Sequence, residues 1–400
     1  MTRRAATRSG SAAPPPGVSD SQHAPLTPLV ARLPATVPFV APDAIVRSRG
    51  QPIWLRVGAN ESAFGPSPRA VAAMRDALAH VAWYADPESF ELRRALGAIH
   101  AVPMECIAVG AGIDELLGLI VRTFVDETRR VVASRGSYPT FAYHVAGHGG
   151  TMGWAPYRYD GWNDLDALGA LARETNAVLV YLANPDNPTG TWFSWDEVAE
   201  LRRALPADCV LVVDEAYVEF APPEAQGPFD LDDPKVIRLR TFSKLHGLAG
   251  ARIGYVLAHR ATIAAFDKVR NHFGTNCVAQ VGALAALEDR TFADGVIAEV
   301  ARGREDYHRL ARDLGLSSLP SAANFVAIDF GSAAAARATL GALLERGVFV
   351  RMPSVAPIDR CVRVTVGTAK ERESFAAVLR DVTRDVPETH GDRDARRERG

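Results

Sequence analysis

Six short runs of aliphatic and β-branched residues, at 106–109, 131–134, 177–183, 209–213, 236–241 and 252–257, are separated by longer stretches of helical periodicity. This alternation constrains the fold more than any other feature of the chain. A strand that is apolar along its whole length must be covered on both faces. Short apolar strands alternating with helices therefore predict an α/β fold with a mostly parallel central sheet. The clearest helix is expected at 114–125, where Leu116, Leu117, Ile120, Val121 and Phe124 recur at helical spacing and would face that sheet. A second, smaller set of strands is expected after Pro320, at 324–330, 348–351 and 361–366, forming its own α+β layer. A long helical stretch from about 262 to 313 would link the two layers. The resulting division is 1–28 and 385–400 as disordered polar tails, 29–68 as an arm and part of a small domain, 69–285 as a large domain, and 286–384 as a small C-terminal domain.

Composition narrows the function classes. The chain is 48% hydrophobic and 23% charged, with a net charge of -2, so no global basic field invites nucleic acid and small-molecule chemistry is expected instead. No apolar run approaches the roughly 18 residues that span a bilayer, and no secretory h-region is seen, so a cytoplasmic protein is expected. Cys106, Cys209, Cys277 and Cys361 are scattered without the spacing of a zinc or redox pair, so no metal site is expected.

The chemistry concentrates in Arg240-Thr-Phe-Ser-Lys-Leu-His-Gly-Leu-Ala-Gly-Ala-Arg-Ile-Gly-Tyr255. Lys244 stands beside Leu245, Leu248 and Ala249, which suits an amine that must lose its proton and condense with an aldehyde. Ser243 and Arg252 flank it as phosphate binders, one by hydroxyl and one by guanidinium fork. The cofactor that carries both an aldehyde and a phosphate is pyridoxal 5′-phosphate.

Other strand ends supply matching groups. Asp214 closes the run 209–213, so its carboxylate would emerge at the carboxyl edge of the sheet, where it can hold a pyridine nitrogen protonated. Asn184-Pro-Asp-Asn-Pro-Thr-Gly190 is a proline-fixed turn after another strand. Asn184 is expected to reach the cofactor's phenolic oxygen, with Tyr217 as a second donor. Val109-Gly-Ala-Gly-Ile-Asp-Glu115 runs from a strand into the 114–125 helix, and the amides of Ile113 and Asp114 would offer a phosphate site at its N-terminus. In Ser137-Tyr-Pro-Thr-Phe141, both Tyr138 and Phe141 are candidates to stack on the pyridine ring.

With these residues in hand, the chain resembles a fold-type I PLP-dependent aminotransferase, and within that group the histidinol-phosphate aminotransferase family. The likeness runs from about 59 to 382. It is carried by Asn60-Glu-Ser-Ala-Phe-Gly-Pro-Ser-Pro68, Tyr84-Ala-Asp-Pro87, the 184–190 turn, Asp214-Glu-Ala-Tyr217, the 240–255 segment, Ala323-Asn-Phe-Val326 and Arg363-Val-Thr-Val-Gly367, in the family's order. The resemblance implies that Lys244 bonds the cofactor and acts as general acid/base, with Asp214 and Tyr217 completing the catalytic set. It implies that Tyr84 reaches the cofactor phosphate of a neighbouring subunit, and hence a homodimer with shared active sites. Asn60, Asn324, Arg351 and Arg363 fall on substrate-binding positions.

The activity so implied is transfer of an amino group from L-histidinol phosphate to the 2-oxo acid 2-oxoglutarate. An aromatic amino acid aminotransferase is the nearest alternative, because an arginine fork meets a carboxylate as well as a phosphate. A PLP-dependent decarboxylase comes next. A PLP-sensing transcription regulator would need a DNA-binding domain, and the proline-rich first 28 residues are too short for one. The chain departs from the family pattern at Leu245-His246, at His272-Phe-Gly-Thr-Asn276 and at Ala111.

Overall fold

The structure is a computed structural model that describes residues 24–35, 40–229 and 232–385. It divides into two units, Met1–Ala35 and Thr36–Gly400. Among its described residues the first holds one short helix, Pro28–Arg32, whose N-terminus is capped by the Thr27 side chain. The expected tails lie, over 1–23 and 386–400, outside the described residues.

The strands of the second unit, in chain order, are β1 (Leu55–Arg56), β2 (Ile107–Gly110), β3 (Arg130–Ser134), β4 (Thr151–Ala155), β5 (Leu179–Ala183), β6 (Val210–Asp214), β7 (Val236–Thr241), β8 (Gly254–Ala258), β9 (Ser317–Ser318), β10 (Phe325–Asp329), β11 (Val348–Phe349) and β12 (Cys361–Thr365). Seven of them form one sheet in the order β2-β8-β7-β6-β5-β3-β4. Only β8 runs antiparallel to its neighbours, so the sheet is mostly parallel as expected. A smaller antiparallel sheet has the order β12-β10-β9, and β1 pairs with β11.

Strand alternation decides which face each side chain joins. Val131, Ala133, Leu179, Tyr181, Val210 and Val212 pack on one face with Leu116, Leu117 and Ile120 of the helix Ile113–Phe124. Val132, Val180, Leu182, Leu211 and Val213 pack on the other with Leu168, Val198 and Leu201. Asp214 continues the first series by two residues and so emerges on the same face as Tyr181. The smaller layer has its own core around Phe325, Val326, Val364, Phe375 and Leu379.

Three expectations change. The strand expected from 252 starts at Gly254, because Arg252 sits at φ +58, in the left-handed region that no strand accommodates. The stretch expected to be helical from 262 to 313 is three helices, Arg260–Phe266, Cys277–Glu288 and Arg290–Asp313. The Asn276 side chain caps the second of them by accepting from Ala279 N at 2.7 Å. Strand β4 had no counterpart among the expected strands, since Thr-Met-Gly-Trp-Ala carries no aliphatic run.

The ends of β6 and β7 are tied together by buried charge. Glu215, 1% exposed at its side chain, pairs with Arg238 Nη2 at 2.6 Å and Arg240 Nε at 2.9 Å. Burial pushes the Glu215 carboxyl up, but the two guanidiniums outweigh it and hold the group below its usual range. A lowered folded value means that this stabilisation is present above the ordinary glutamate range and lost as pH falls through the folded value. Replacing Glu215 by Gln strands two buried cations. The expected result is a loss of about 3–5 kcal/mol, read as a lower denaturant midpoint at unchanged slope.

Among the described residues no helix is long and apolar enough to cross a membrane, and no group of three or more His, Cys, Asp or Glu could hold a metal ion.

Candidate active site

The carboxyl ends of β2, β3, β5, β6 and β7 all open on one cavity of about 880 Å³, whose far wall comes from residues 351–355 and Arg363 of the smaller layer. This is the side on which open parallel sheets bind ligands.

Lys244 stands in the loop after β7. Ser243 N donates to Thr241 Oγ1 at 3.0 Å and Leu248 N to Phe242 O at 3.0 Å, which closes the loop tightly. Gly247 has φ +67, and a Cβ there would lie 2.2 Å from Gly65 O. Only glycine lets the 60–65 segment come so close. That approach puts Asn60 O within 3.0 Å of Lys244 Nζ, which donates to it, and the Nζ stands 5.5 Å from the centre of the Tyr217 ring. Tyr217 Oη accepts from Asn60 Nδ2 at 3.0 Å and from Asn187 Nδ2 at 3.4 Å.

Asp214 is 5% exposed and lines the same cavity. Its Oδ2 accepts from Tyr181 Oη at 2.8 Å and its Oδ1 from Ala216 N at 3.1 Å. The register pairs Ala183 with Asp214, which makes Tyr181 the diagonal neighbour on the same face. Burial pushes the Asp214 carboxyl up to about 6, although both hydrogen bonds pull it down. A buried carboxylate of this kind suits a cationic partner.

A cup of candidate anion binders lies at the N-terminus of the helix Ile113–Phe124, where Ile113, Asp114, Ser243 and Arg252 all line the cavity. Gly112 has φ +84, and a Cβ there would meet Arg252 Nη2 at 2.6 Å, so the glycine makes room for the guanidinium. Asp114 joins two arms of the cup. Its Oδ1 accepts from Tyr138 Oη at 2.7 Å, and its Oδ2 lies 3.5 Å from Arg252 Nη2.

A second cationic wall is built by Arg351 and Arg363, which pair across an antiparallel bridge and both line the cavity. Arg363 donates to Asn187 Oδ1 and to Gly58 O, its Nε is buried without a hydrogen-bond partner, and among the described residues it pairs with no carboxylate. Burial, assisted by the neighbouring Arg351 charge, lowers it to about 10. Arg351 is also lowered by burial, and its Nη2 donates to Val40 O at 2.9 Å. Like charges held side by side in a half-buried wall favour an incoming anion.

Three expected residues sit elsewhere. Asn184 does not reach the cavity, because its Nδ2 donates to Phe193 O at 2.9 Å and its Oδ1 accepts from Phe193 N at 2.8 Å. Asn187, three residues on in the same turn, lines the cavity in its place. Phe141 is 1% exposed and stacks on Tyr181 with centroids 4.6 Å apart, so of the two aromatic candidates only Tyr138 lines the cavity. Asn324 lies behind Asn60, donating to its carbonyl at 3.2 Å, and props the oxygen that Lys244 also contacts. Tyr84, expected in a neighbouring subunit's site rather than in its own, is 86% exposed against Phe273.

Asn187 and Tyr181 went unrecognised in the sequence. Asn187 had a signal, since it is the other asparagine of the proline-fixed turn. Tyr181 had one only in hindsight of register, two positions before the residue paired with Asp214.

Comparison with known proteins identifies the family and the fold. The sequence model of the aminotransferase class I and II family matches residues 52–379. A histidinol-phosphate aminotransferase of Anaeromyxobacter sp. (strain Fw109-5) is 40% identical over 356 residues, covering 88% of this chain and 97% of that protein. The crystal structure of histidinol-phosphate aminotransferase from Sinorhizobium meliloti in complex with pyridoxal-5′-phosphate superposes with a TM-score of 0.87 at 46% identity, over 92% of this chain and all (100%) of that one. Thermus thermophilus aspartate aminotransferase with maleate shares the fold, with a TM-score of 0.77 at 22% identity over 91% of this chain and 100% of that one.

Proposed function

The chain belongs to the class I and II aminotransferases, and from that membership we propose that it is a pyridoxal 5′-phosphate enzyme transferring the amino group of L-histidinol phosphate to 2-oxoglutarate. The observation that carries this reading is the delivery of Lys244 and Asp214, from the ends of adjacent strands, into one cavity that also holds two groups of anion binders.

The residues fit the cofactor. Ser243, Arg252 and the N-terminal amides of Ile113 and Asp114 would hold its phosphate, with Gly112 leaving the space that Arg252 fills. Asp214, buried and already raised, would hold the pyridine nitrogen protonated, and the two charges would relieve each other's burial. Tyr217 and Asn187 would donate to the phenolic oxygen, while Tyr138 from the cavity wall offers the ring a face. When bound, the cofactor supplies an electron sink that lets a proton leave the carbon bearing the amine. Lys244 would hold the cofactor through its amine and, once freed by an incoming amine, would carry that proton on its Nζ. The Asn60 carbonyl, 3.0 Å away, would hold the freed amine at the cavity.

Arg351 and Arg363 would take the substrate's acid group by paired hydrogen bonds. We also assign the exposed aromatic set Trp83, Tyr84 and Phe273 to a contact with a second copy of the chain, in which Tyr84 reaches the partner's cofactor phosphate.

Steady-state rates with histidinol phosphate and phenylalanine, both with 2-oxoglutarate as acceptor, test the substrate. A phosphate on the two arginines is expected to favour histidinol phosphate by about 10–100-fold in kcat/KM, as charge-assisted pairing supplies. A preference for phenylalanine would overturn the donor assignment in favour of an aromatic amino acid aminotransferase. Carbon dioxide release without need of a 2-oxo acid would overturn the reaction class.

A further inference from the structure

An enzyme that alternates between a phosphate ester and a dicarboxylate must bind two unlike anions in one cavity, and this inference rests on the reaction proposed above. The acid group beside the reacting carbon meets Arg363, which lies against Asn187 and so close to Tyr217. A dicarboxylate carries its second acid group several bonds farther from that carbon. A second cation must then stand farther out, with its fork disengaged.

Three other guanidiniums line the cavity. Arg252 faces Asp114 at 3.5 Å and donates to Ala249 O at 3.0 Å, within the phosphate cup. Arg351 donates to Val40 O and lies over the Phe349 ring at 5.3 Å. Arg135 is exposed, and among the described residues its guanidinium makes no hydrogen bond or ion pair.

Although its side chain is disengaged, the backbone that carries Arg135 is fixed. Arg135 N donates to Ala155 O at 2.8 Å and Ser137 N to Ser134 O at 3.1 Å. Gly136 follows at φ +100, and a Cβ there would meet Val355 Cγ2 at 2.2 Å. The turn after β3 is thus interlocked with the 352–355 segment that continues from Arg351. Trp154, on the neighbouring strand β4, lines the same rim. A guanidinium anchored at its root and uncommitted at its tip is suited to meet a carboxylate in two parallel hydrogen bonds.

We propose that Arg135 determines acceptor specificity, taking the distal carboxylate of a dicarboxylic 2-oxo acid while Arg363 holds the carboxylate beside the reacting carbon. The test uses enzyme loaded with pyridoxamine 5′-phosphate, which needs no amino donor. Single-turnover rates with 2-oxoglutarate and with pyruvate are compared for wild type, Arg135→Gln and Arg135→Lys.

The ratio of second-order rate constants, 2-oxoglutarate over pyruvate, is expected to fall about 10-fold or more in Arg135→Gln, with part of the ratio recovered in Arg135→Lys. An unchanged ratio, or equal losses with both acceptors, overturns the proposal. Thermal unfolding of the variants separates a specificity change from a damaged fold, since a destabilised protein would lose both rates together. Inert histidinol phosphate would overturn the donor assignment and leave this ratio measurable. Wild-type protein that converts neither acceptor overturns both.

Discussion

Lys244→Ala protein, reconstituted with pyridoxal 5′-phosphate, is expected to lose kcat by on the order of 10⁴-fold or more while keeping its fold. Two losses combine in that figure. Positioned proton transfer alone is worth about 10²–10⁴-fold, and the bond between protein and cofactor adds the advantage of splitting one hard step into easier ones. The fold survives because Lys244 pairs with no carboxylate among the described residues. Its recorded hydrogen bond goes to the Asn60 carbonyl, which also accepts from Asn324 Nδ2. Removing the amine therefore breaks no ion pair and takes only a weak coulombic partner from Asp214, so a change of about 1 kcal/mol or less is expected. Rate assays beside a denaturant curve check both halves. An unstable variant would recast Lys244 as a structural residue, and an active one would remove it from the chemistry.

Asp214→Asn is expected to separate activity from stability in the opposite sense. Burial holds the Asp214 carboxyl at about 6, above its ordinary 3.8. A carboxyl raised in the folded state contributes stability that is complete below its unfolded value and is lost as pH rises through the folded one. Without cofactor, the ionised group at pH 8 therefore costs on the order of 3 kcal/mol, taken as two pH units at about 1.4 kcal/mol each. The carboxamide removes that cost and gives up one acceptor, since Tyr181 Oη and Ala216 N both donate to Asp214 and an amide has a single oxygen. That second effect is worth about 1 kcal/mol.

The cofactor-free variant is thus expected to unfold at a higher denaturant concentration than wild type at pH 8. It is also expected to bind pyridoxal 5′-phosphate more weakly and to turn over about 10²–10⁴-fold more slowly, because nothing then holds the pyridine nitrogen protonated. In wild type, cofactor affinity is expected to fall as pH drops below about 6, where Asp214 takes up its own proton. Spectrophotometric titration across that range reads it. An affinity flat from pH 5 to 8 would deny Asp214 this part, whatever the stability measurement gives.

The sheet was legible because burial on both faces makes its central strands almost wholly apolar, and the runs 179–183 and 210–213 announce themselves in any window. Asp214 was legible for a related reason. It is the first charged residue after an apolar run, so it had to stand at an edge. What a turn does with its side chains was not legible. Asn184 and Asn187 are both asparagines before proline in one heptapeptide, and only the closure of Asn184 on the Phe193 backbone decides which faces the cavity.

Tyr138 and Phe141 are ambiguous for the same cause. Their places follow from Tyr181 claiming Phe141 by stacking. The buried pairing of Glu215 with Arg238 and Arg240 was hidden too, since arginines inside a strand can be read as charged only until their partner from the next strand is known. Sequence periodicity reports burial, whereas partner choice depends on register between strands.

The central claim is that Lys244 is the residue bonded to the cofactor. Borohydride reduction of the protein loaded with pyridoxal 5′-phosphate fixes that bond, and mass spectrometry of the digested protein then places it. The expected result is a phosphopyridoxyl group on Lys244 in wild type and on no residue of the Asp214 or Lys244 peptides in Lys244→Ala. Label found instead on Lys235, Lys268 or Lys370, the other lysines of the chain, would contradict the account.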